Sequence, residues 1–519
     1  MRFANDPDWS TLLKSIHWAS EISDLALRYG GRPAVIDIDG TTSYADLFAK
    51  AAGVGHALMA VGIGPGDAVA TLFRNGADAV AATFGVMMAG AVEVPVNPAL
   101  SADERAYCFA VADVRLLVTS AGLAKDISAG RPAVLTIEGI KPASLDPASF
   151  PFVDGNAPAR IVFTSGTTGR PKGAVHSQNG RWTANILLRA NLPFRPGAES
   201  NILLMTPFSH GSSLMTHAYL SSGASVTLLD SVNPATVLGI LDRGKCDAMF
   251  APPTVLAKIV AAAGQQRFSS LRTIFCGTAV LKPTLYARAR DLFGPIVRVT
   301  YGKSEVFNPI TVLETEETEA WYASGGDDAC VGWPASGVEI VIRGEDGKPV
   351  ATGDSGEVLI RAQHLMTGYR TDEGFSPLAP DEFHDTGDLG YVDTQGRLHL
   401  TGRGADVIKS GGYKVAPEEV ERLLAPALQP SEVAVVGIPS DYWGEVILAA
   451  VENPAPGWEA RIDTVVRAMT DYKRPRLLIA LDELPRNGIG KILRSAIRAD
   501  VLSRFCLTEG PRPRLEKRD

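Results

Sequence analysis

From 44 to 62, apolar residues return every three or four positions. Leu47, Ala51, Val54, Leu58 and Val61 fall on one face, which predicts an amphipathic helix. Gly62-Ile-Gly-Pro-Gly-Asp67 reads as a turn, and 68–73 as a short apolar strand. The same pairing follows at once, with a helix over 79–89 and a strand over 91–96. Short apolar runs at 226–229, 248–250, 273–276 and 297–300 carry the alternation to about residue 300, which predicts parallel α/β layers. Between 331 and 400 the texture changes. There 338–343, 356–361, 387–392 and 398–400 read as short strands split by Gly, Asp and Pro turns, a β-rich subdomain. Mixed α and β then returns, with helices over 417–424 and 460–469 and strands over 433–438 and 447–451. The glycine-punctuated run Thr401-Gly-Arg-Gly-Ala-Asp406 is the expected domain boundary.

Composition narrows the class. A chain of 519 residues suggests roughly two to four domains. Its 50 Lys and Arg against 58 Asp and Glu give a net charge of −8, so a chain-wide basic footprint for nucleic acid is absent. The most apolar stretch, 79–92, is broken by Gly85 and Gly90 and closed by Glu93 and Pro95, too short for a membrane span. The five cysteines form no CxxC pair and are odd in number, which argues against a zinc site or a secreted disulfide framework. Asp6 and Asp8 stand where a signal peptide needs an apolar core. A reducing cytoplasm is the expected location.

One segment carries explicit chemistry. In Ile161-Val-Phe-Thr-Ser-Gly-Thr-Thr-Gly-Arg-Pro-Lys-Gly173 an apolar strand runs into hydroxyls, glycines and a lysine. Gly166, Gly169 and Gly173 let the backbone turn tightly and bring N–H groups to a ligand. Thr164, Ser165, Thr167 and Thr168 add neutral donors, and Lys172 adds a point charge. This suits a polyphosphate, although it is not the GxxxxGK[ST] loop.

The segment resembles the signature of the adenylate-forming superfamily, which holds acyl- and aryl-CoA synthetases, luciferases and the adenylation domains of peptide synthetases. Four further motifs follow in family order: Tyr301-Gly-Lys-Ser-Glu305; His384-Asp-Thr-Gly-Asp388; Gly402-Arg403 with Asp406-Val-Ile-Lys409 and Gly411-Gly-Tyr-Lys-Val415; and Pro485-Arg-Asn-Gly-Ile-Gly-Lys491. The resemblance implies an α/β fold. A large N-terminal domain (1–403) would hold α/β layers plus a distorted β-barrel, and a small mobile α+β C-terminal domain (404–519) would carry the catalytic lysine.

It also implies a reaction in two halves. A carboxylate attacks the α-phosphate of MgATP to give an acyl-adenylate and pyrophosphate; a nucleophile, usually the thiol of coenzyme A, then displaces AMP. ATP, Mg²⁺ and coenzyme A would be required, with a small carboxylic acid as substrate. By resemblance, Thr164, Ser165, Gly166, Thr167, Thr168, Gly169 and Lys172 would hold the β- and γ-phosphates. Glu305 would bind Mg²⁺, Tyr301 would stack on adenine, and Ser304 would contact the α-phosphate or carboxylate. Asp388 and Arg403 would bind the ribose, and Lys491 would be the adenylation lysine. His210 would line the acyl pocket and gate the thiol tunnel, with Ser212, Cys276, Gly277, Thr278 and Lys303 along the pocket wall. Lys409, Gly411 and Gly412 would face the pantetheine channel, and Ala405 would be the hinge.

Departures from the family pattern matter. Gly211 and Ser212 follow His210 where amino-acid-activating members place an aspartate, which disfavours an α-amino acid. Lys303 is an unusual residue inside its motif, and Ala405 replaces the usual polar hinge residue. The leading reading is an acid–CoA ligase for an aromatic or short to medium, functionalised acid. Two others stay open: an amide synthetase or acyl-AMP ligase that passes the acyl group to an amine or carrier protein, and a nucleotide-binding homologue without catalysis. A homodimer stays open beside a monomer.

Overall fold

The computed structural model describes residues 14–127, 132–164, 171–326, 328–379, 381–411, 413–487 and 490–518. The opening helix forms as Tyr44–Ala60, started by Ser43, whose side chain accepts from Asp46 N, and it buries Leu47, Ala51, Val54 and Leu58. Helix Ala77–Met88 is buried at every position from Ala79 to Met88, the reason its sequence is apolar all round. The two helices cross with almost no gap. A Cβ on Gly85 would stand 2.6 Å from the Val54 side chain and 2.8 Å from the Ala51 carbonyl.

The chain divides into two compact units. The larger takes residues up to 326 with Val331–Glu339 and Arg361–His384. Its first sheet runs, in order, Gly374–Pro377, Gly368–Thr371, Lys172–Ser177, Pro158–Thr164, Val92–Val96, Ala68–Leu72, Leu116–Thr119 and Ala133–Thr136. The last five strands are parallel. The second sheet runs Val306–Leu313, Val297–Lys303, Thr273–Cys276, Ala248–Phe250, Asn201–Leu204, Ser225–Leu228, Pro33–Asp37 and Gly40–Ser43. Its six inner strands are parallel, and an antiparallel strand pairs at either end. The alternation in the sequence thus becomes two mostly parallel sheets. In such sheets ligands collect beyond the carboxyl ends of the strands.

The smaller unit comprises Asp328–Cys330, Ile340–Ile360 and Asp385–Asp519. It contains most of an open run of strands ordered Val338–Arg343, Gly356–Ala362, His384–Val392 and Leu398–Arg403. Its other sheet orders Tyr413–Val415, Ile408–Ser410, Gly444–Glu452 and Val433–Ser440, with Leu477–Leu481 also on Gly444–Glu452. Strand Val433–Ser440 is buried on both faces. Val433 and Val435 pack with Leu424 of helix Pro417–Leu428 and Ile462 of helix Trp458–Ala468. Val436 and Ile438 pack with Ile497 and Val501 of helix Arg494–Arg504.

The expected β-barrel is not found: among the described residues no sheet closes on itself. The strands between 338 and 403 lie in an open run, with Gly368–Thr371 and Gly374–Pro377 leaving it for the first sheet. No described helix is long and apolar enough to cross a membrane.

The close helix crossing makes a signed prediction. Helix propensity alone favours Gly85→Ala by up to about 1 kcal/mol. The contacts at 2.6 and 2.8 Å oppose it. Gly85→Ala should therefore destabilise the protein, by about 1–3 kcal/mol, as a lower urea midpoint at unchanged slope.

Candidate active site

Three expected segments lie at carboxyl ends of the second sheet's parallel strands. Strand Asn201–Leu204 leads to His210, Thr273–Cys276 to Gly277 and Thr278, and Val297–Lys303 to Ser304 and Glu305. The approach is tight. A Cβ on Gly277 would meet the Thr300 carbonyl at 2.6 Å, so only glycine lets this turn lie against the neighbouring strand. Thr278 then takes φ +70°, a left-handed conformation that is strained for a β-branched residue. Thr278 is exposed, whereas Cys276 is buried and its thiol is pushed up to about 12 by burial, which removes it as a nucleophile.

Glu305 sits in the turn between Val297–Lys303 and Val306–Leu313, and its register shifts between Tyr301 and Lys303. The carboxylate is 9% exposed. Tyr369 donates its hydroxyl to Glu305 Oε1 at 2.8 Å, and Met366 N donates to the Glu305 carbonyl at 2.8 Å. Burial, then Glu305, pushes the Tyr369 phenol well above its ordinary range, so it stays a donor. Lys172 Nζ stands 5.7 Å over the Tyr369 ring.

The strands that flank the phosphate-loop candidate pair antiparallel in the first sheet, with Thr164 opposite Lys172. Ser165, Gly166, Thr167, Thr168 and Gly169 lie outside the described residues, as does Gly412. Four residues past Lys172, His176 is fully buried and donates Nε2–H to the Ser304 carbonyl at 2.8 Å. Its ring stacks on Phe307 with centroids 3.7 Å apart. Burial pushes its pKa down to about 3, so the ring is neutral at pH 7. The loop's flank and the Tyr301–Glu305 motif are thereby joined.

His210 breaks the helical path between Phe208 and Ser212 with φ −122° and ψ −135°. It is half-buried. Burial, then Arg160, pushes its pKa down to about 4. Ser212 is fully buried, and its hydroxyl bonds to Thr206 Oγ1 at 2.7 Å and the Thr206 carbonyl at 2.9 Å. Its hydroxyl thus ties the segment back to the end of the preceding strand's connection at Thr206.

The remaining candidates lie in the smaller unit. Asp388 and Arg403 are direct partners across antiparallel strands, with Arg403 Nε 3.3 Å from Asp388 Oδ1. Thr386 Oγ1 accepts from Asp388 N at 3.1 Å and donates to the Val358 carbonyl at 2.7 Å, which fixes the aspartate's backbone. Lys491 lies in a short loop whose ends pair at Arg486 and Ile492. Arg486 anchors that loop on Glu432 at 2.5 Å and Glu452 at 3.3 Å. Burial, then Arg403, pushes the Lys491 ammonium down to about 8 against the pull of Asp388 and Asp406. The expected ribose pair and the expected adenylation lysine thus share one electrostatic neighbourhood. Ala405 is exposed in a single turn, Gly404–Asp406, and its neighbour Asp406 pairs with Arg494 at 3.0 Å. Lys409 is exposed, with its backbone N donating to Glu445 at 2.8 Å. Gly411 N donates to the Trp443 carbonyl at 2.8 Å.

Residues 23–370 match the AMP-binding enzyme family, and 419–491 match the AMP-binding enzyme C-terminal domain. The chain belongs to the adenylate-forming AMP-binding enzymes, of the acyl- and aryl-CoA synthetase type. It is similar to a feruloyl-CoA synthase from an Amycolatopsis species, 30% identical over 487 residues covering 91% of this chain and 95% of that protein. Among solved structures it resembles o-succinylbenzoate CoA synthetase from Bacillus subtilis bound to its acyl-adenylate intermediate (TM-score 0.79, 26% identity, 93% of this chain and 98% of that one). It also resembles an amide bond synthetase from Marinactinospora thermotolerans (TM-score 0.80, 27% identity, 93% and 98% covered). By class the chain is an acid–thiol ligase.

The donor set of this AMP-binding enzyme fits magnesium arriving with its nucleotide. Among the described residues no three His, Cys, Asp or Glu side chains are grouped for a metal. Mg²⁺ needs only one or two carboxylates when phosphates and water complete its shell, and Glu305, braced by Tyr369, is a carboxylate that would serve as one. Sequence reading missed His176 and Tyr369. Each is a lone aromatic in a strand, with no local signal for a partner 128 or 64 residues away. The strain at Thr278 is testable. Thr278→Gly should stabilise the fold by about 1 kcal/mol in chemical denaturation, because glycine adopts φ +70° without cost from a Cβ.

Proposed function

We propose that the protein joins a small carboxylic acid to coenzyme A at the expense of ATP. A carboxylate oxygen attacks the α-phosphorus, the bond to the β-phosphate breaks, and pyrophosphate leaves. The thiol sulfur then attacks the acyl carbon and gives up its proton, and the bond to AMP breaks. Glu305 is the residue that would hold Mg²⁺, which when bound would neutralise phosphate charge. Tyr369 keeps the Glu305 carboxylate oriented. Lys172 and the loop before it bind the β- and γ-phosphates, Tyr301 the adenine, and Asp388 with Arg403 the ribose. Lys491 supplies the cation that lets two anions approach, the role in which preorganised charge contributes most. Neutral His210 lines the path to the acyl carbon. The observation that carries this reading is the Glu305 cluster, a braced buried carboxylate beside a lysine at the strand ends of a parallel sheet. The small or polar wall formed by His210, Thr278 and Lys303 favours an aromatic or functionalised acid over a long chain.

Carboxylate-dependent exchange of labelled pyrophosphate into ATP tests the first half, and addition of coenzyme A tests the second. No exchange with any acid would overturn the reading. Exchange followed by transfer only to amines would assign the acceptor otherwise, the outcome that likeness to an amide bond synthetase motivates.

Lys491→Ala should lower exchange by at least about a hundredfold yet spare thioester formation from supplied acyl-adenylate. The pH profile gives a sharper check. The Lys491 cation is present below about 8 and lost above it. Exchange should therefore fall as pH rises through about 8. Lys491→Arg keeps its charge and should remove that fall.

A further inference from the structure

A cluster of mutually paired charges lies buried in the larger unit, and the chemistry above does not use it. Glu93 and Arg160 are direct partners on neighbouring parallel strands, and Arg181 lies on helix Gln178–Ala190. They are 0, 2 and 5% exposed. Arg181 Nη2 donates to Glu93 Oε2 at 2.8 Å, and Arg160 Nε stands 3.6 Å from the same oxygen. Thr83 donates to Glu93 Oε1 at 2.6 Å. Burial alone would push the Glu93 carboxyl up, but the two arginines outweigh it and hold it below the usual range. Burial pushes Arg160 down only to about 10, so it remains a cation at pH 7. One carboxylate faces two guanidiniums, which leaves an uncompensated positive charge in the interior, a costly arrangement without a partner.

The cluster opens on a narrow cavity with room for a carboxylate-sized head. Its apolar wall includes Phe84, Met87, Leu188, Phe208, Leu214 and Phe307. Asn185 and Thr216, 9% and 1% exposed, add polar lining, and among the described residues neither Asn185 Oδ1 nor Thr216 Oγ1 has a hydrogen-bond partner. Arg160 Nε also lacks a hydrogen bond among them. Buried polar atoms are normally paired, so three orphans around one cavity point to a polar occupant. The cavity adjoins the candidate site. Phe208 lies two residues before His210 and Phe307 two after Glu305. Arg160 Nη2 donates to the Ser209 carbonyl at 3.4 Å and to Ser213 Oγ at 2.8 Å.

We propose that this cavity receives a second anionic group at the far end of the acid, which makes dicarboxylic acids the preferred substrates. The inference rests on the ligase reading above. The distal carboxylate would balance the excess charge of Arg160 and Arg181 and accept from the Thr216 hydroxyl. A monoacid of equal length would leave that charge unpaired.

Pyrophosphate exchange with matched acids, hexanoate against adipate and benzoate against terephthalate, tests this. The diacid should show kcat/KM higher by roughly tenfold or more in at least one pair. Arg181→Met should cut the diacid-to-monoacid ratio by roughly tenfold or more, chiefly through the KM of the diacid, and Arg181→Lys should keep part of the preference. Should Arg181→Met fail to fold, as judged by its thermal melt, the near-isosteric Thr216→Val should lower the same ratio. Monoacid preference in the wild type, or equal losses for both acids in the variants, would overturn the proposal while leaving the ligase reading intact. Exchange with no acid at all would instead strike the ligase reading.

Discussion

A buried imidazole holds the larger unit's chemistry together. His176 gives its one proton to the Ser304 carbonyl and stacks on Phe307. In water such a bond contributes about 1 kcal/mol, but a buried carbonyl left without it costs about 1–3 kcal/mol. The bond is therefore worth more as a constraint than as a source of stability. It ties the strand after the phosphate loop to the turn that carries Glu305, so two sheets present their strand ends with a fixed offset. Tyr369 adds a second tie from the neighbouring strand of the first sheet. Removal of either tie would release the turn that carries Glu305.

An acidic protein can handle polyanions because charge is arranged locally. Lys172 lies against an aromatic face, and Lys491 lies among charges of both signs, Arg403 and Arg494 against Asp388 and Asp406. Burial and Arg403 push the Lys491 ammonium down to about 8, so it is still a cation at pH 7 but holds its proton less tightly than a free lysine. An incoming phosphate or carboxylate would raise its affinity for that proton. The net charge of −8 says nothing about such sites.

Much of this organisation was legible from the sequence, for reasons that differ by element. Short apolar runs such as Ala248–Phe250 and Thr273–Cys276 have the bounds that the pattern predicted, because strands buried on both faces are apolar without alternation. Boundaries drifted where polar residues continued a strand. Val297–Lys303 extends past 300 because pairing with Val306–Leu313 continues through the motif itself. The barrel failed because closure depends on which strands pair, and nothing local in 338–403 encodes that. That Asp388 and Arg403 belong together was readable only through the resemblance of their motifs to the family's, and the structure pairs them across neighbouring strands. Contacts such as Glu305 with Tyr369, or Glu93 with two arginines, join residues far apart in the chain and were invisible.

The order in which the chain leaves the ribosome gives one of these contacts a temporal meaning. The larger unit is interrupted: Arg361–His384 belongs to it, yet Ile340–Ile360 belongs to the other unit and is made first. Glu305 therefore waits 64 residues for Tyr369. At typical synthesis rates that delay is about 3–13 s. Through this interval the nascent chain holds a nearly complete α/β layer whose carboxylate has no brace. The brace on Glu305 thus forms only after the polypeptide has begun to build its second unit.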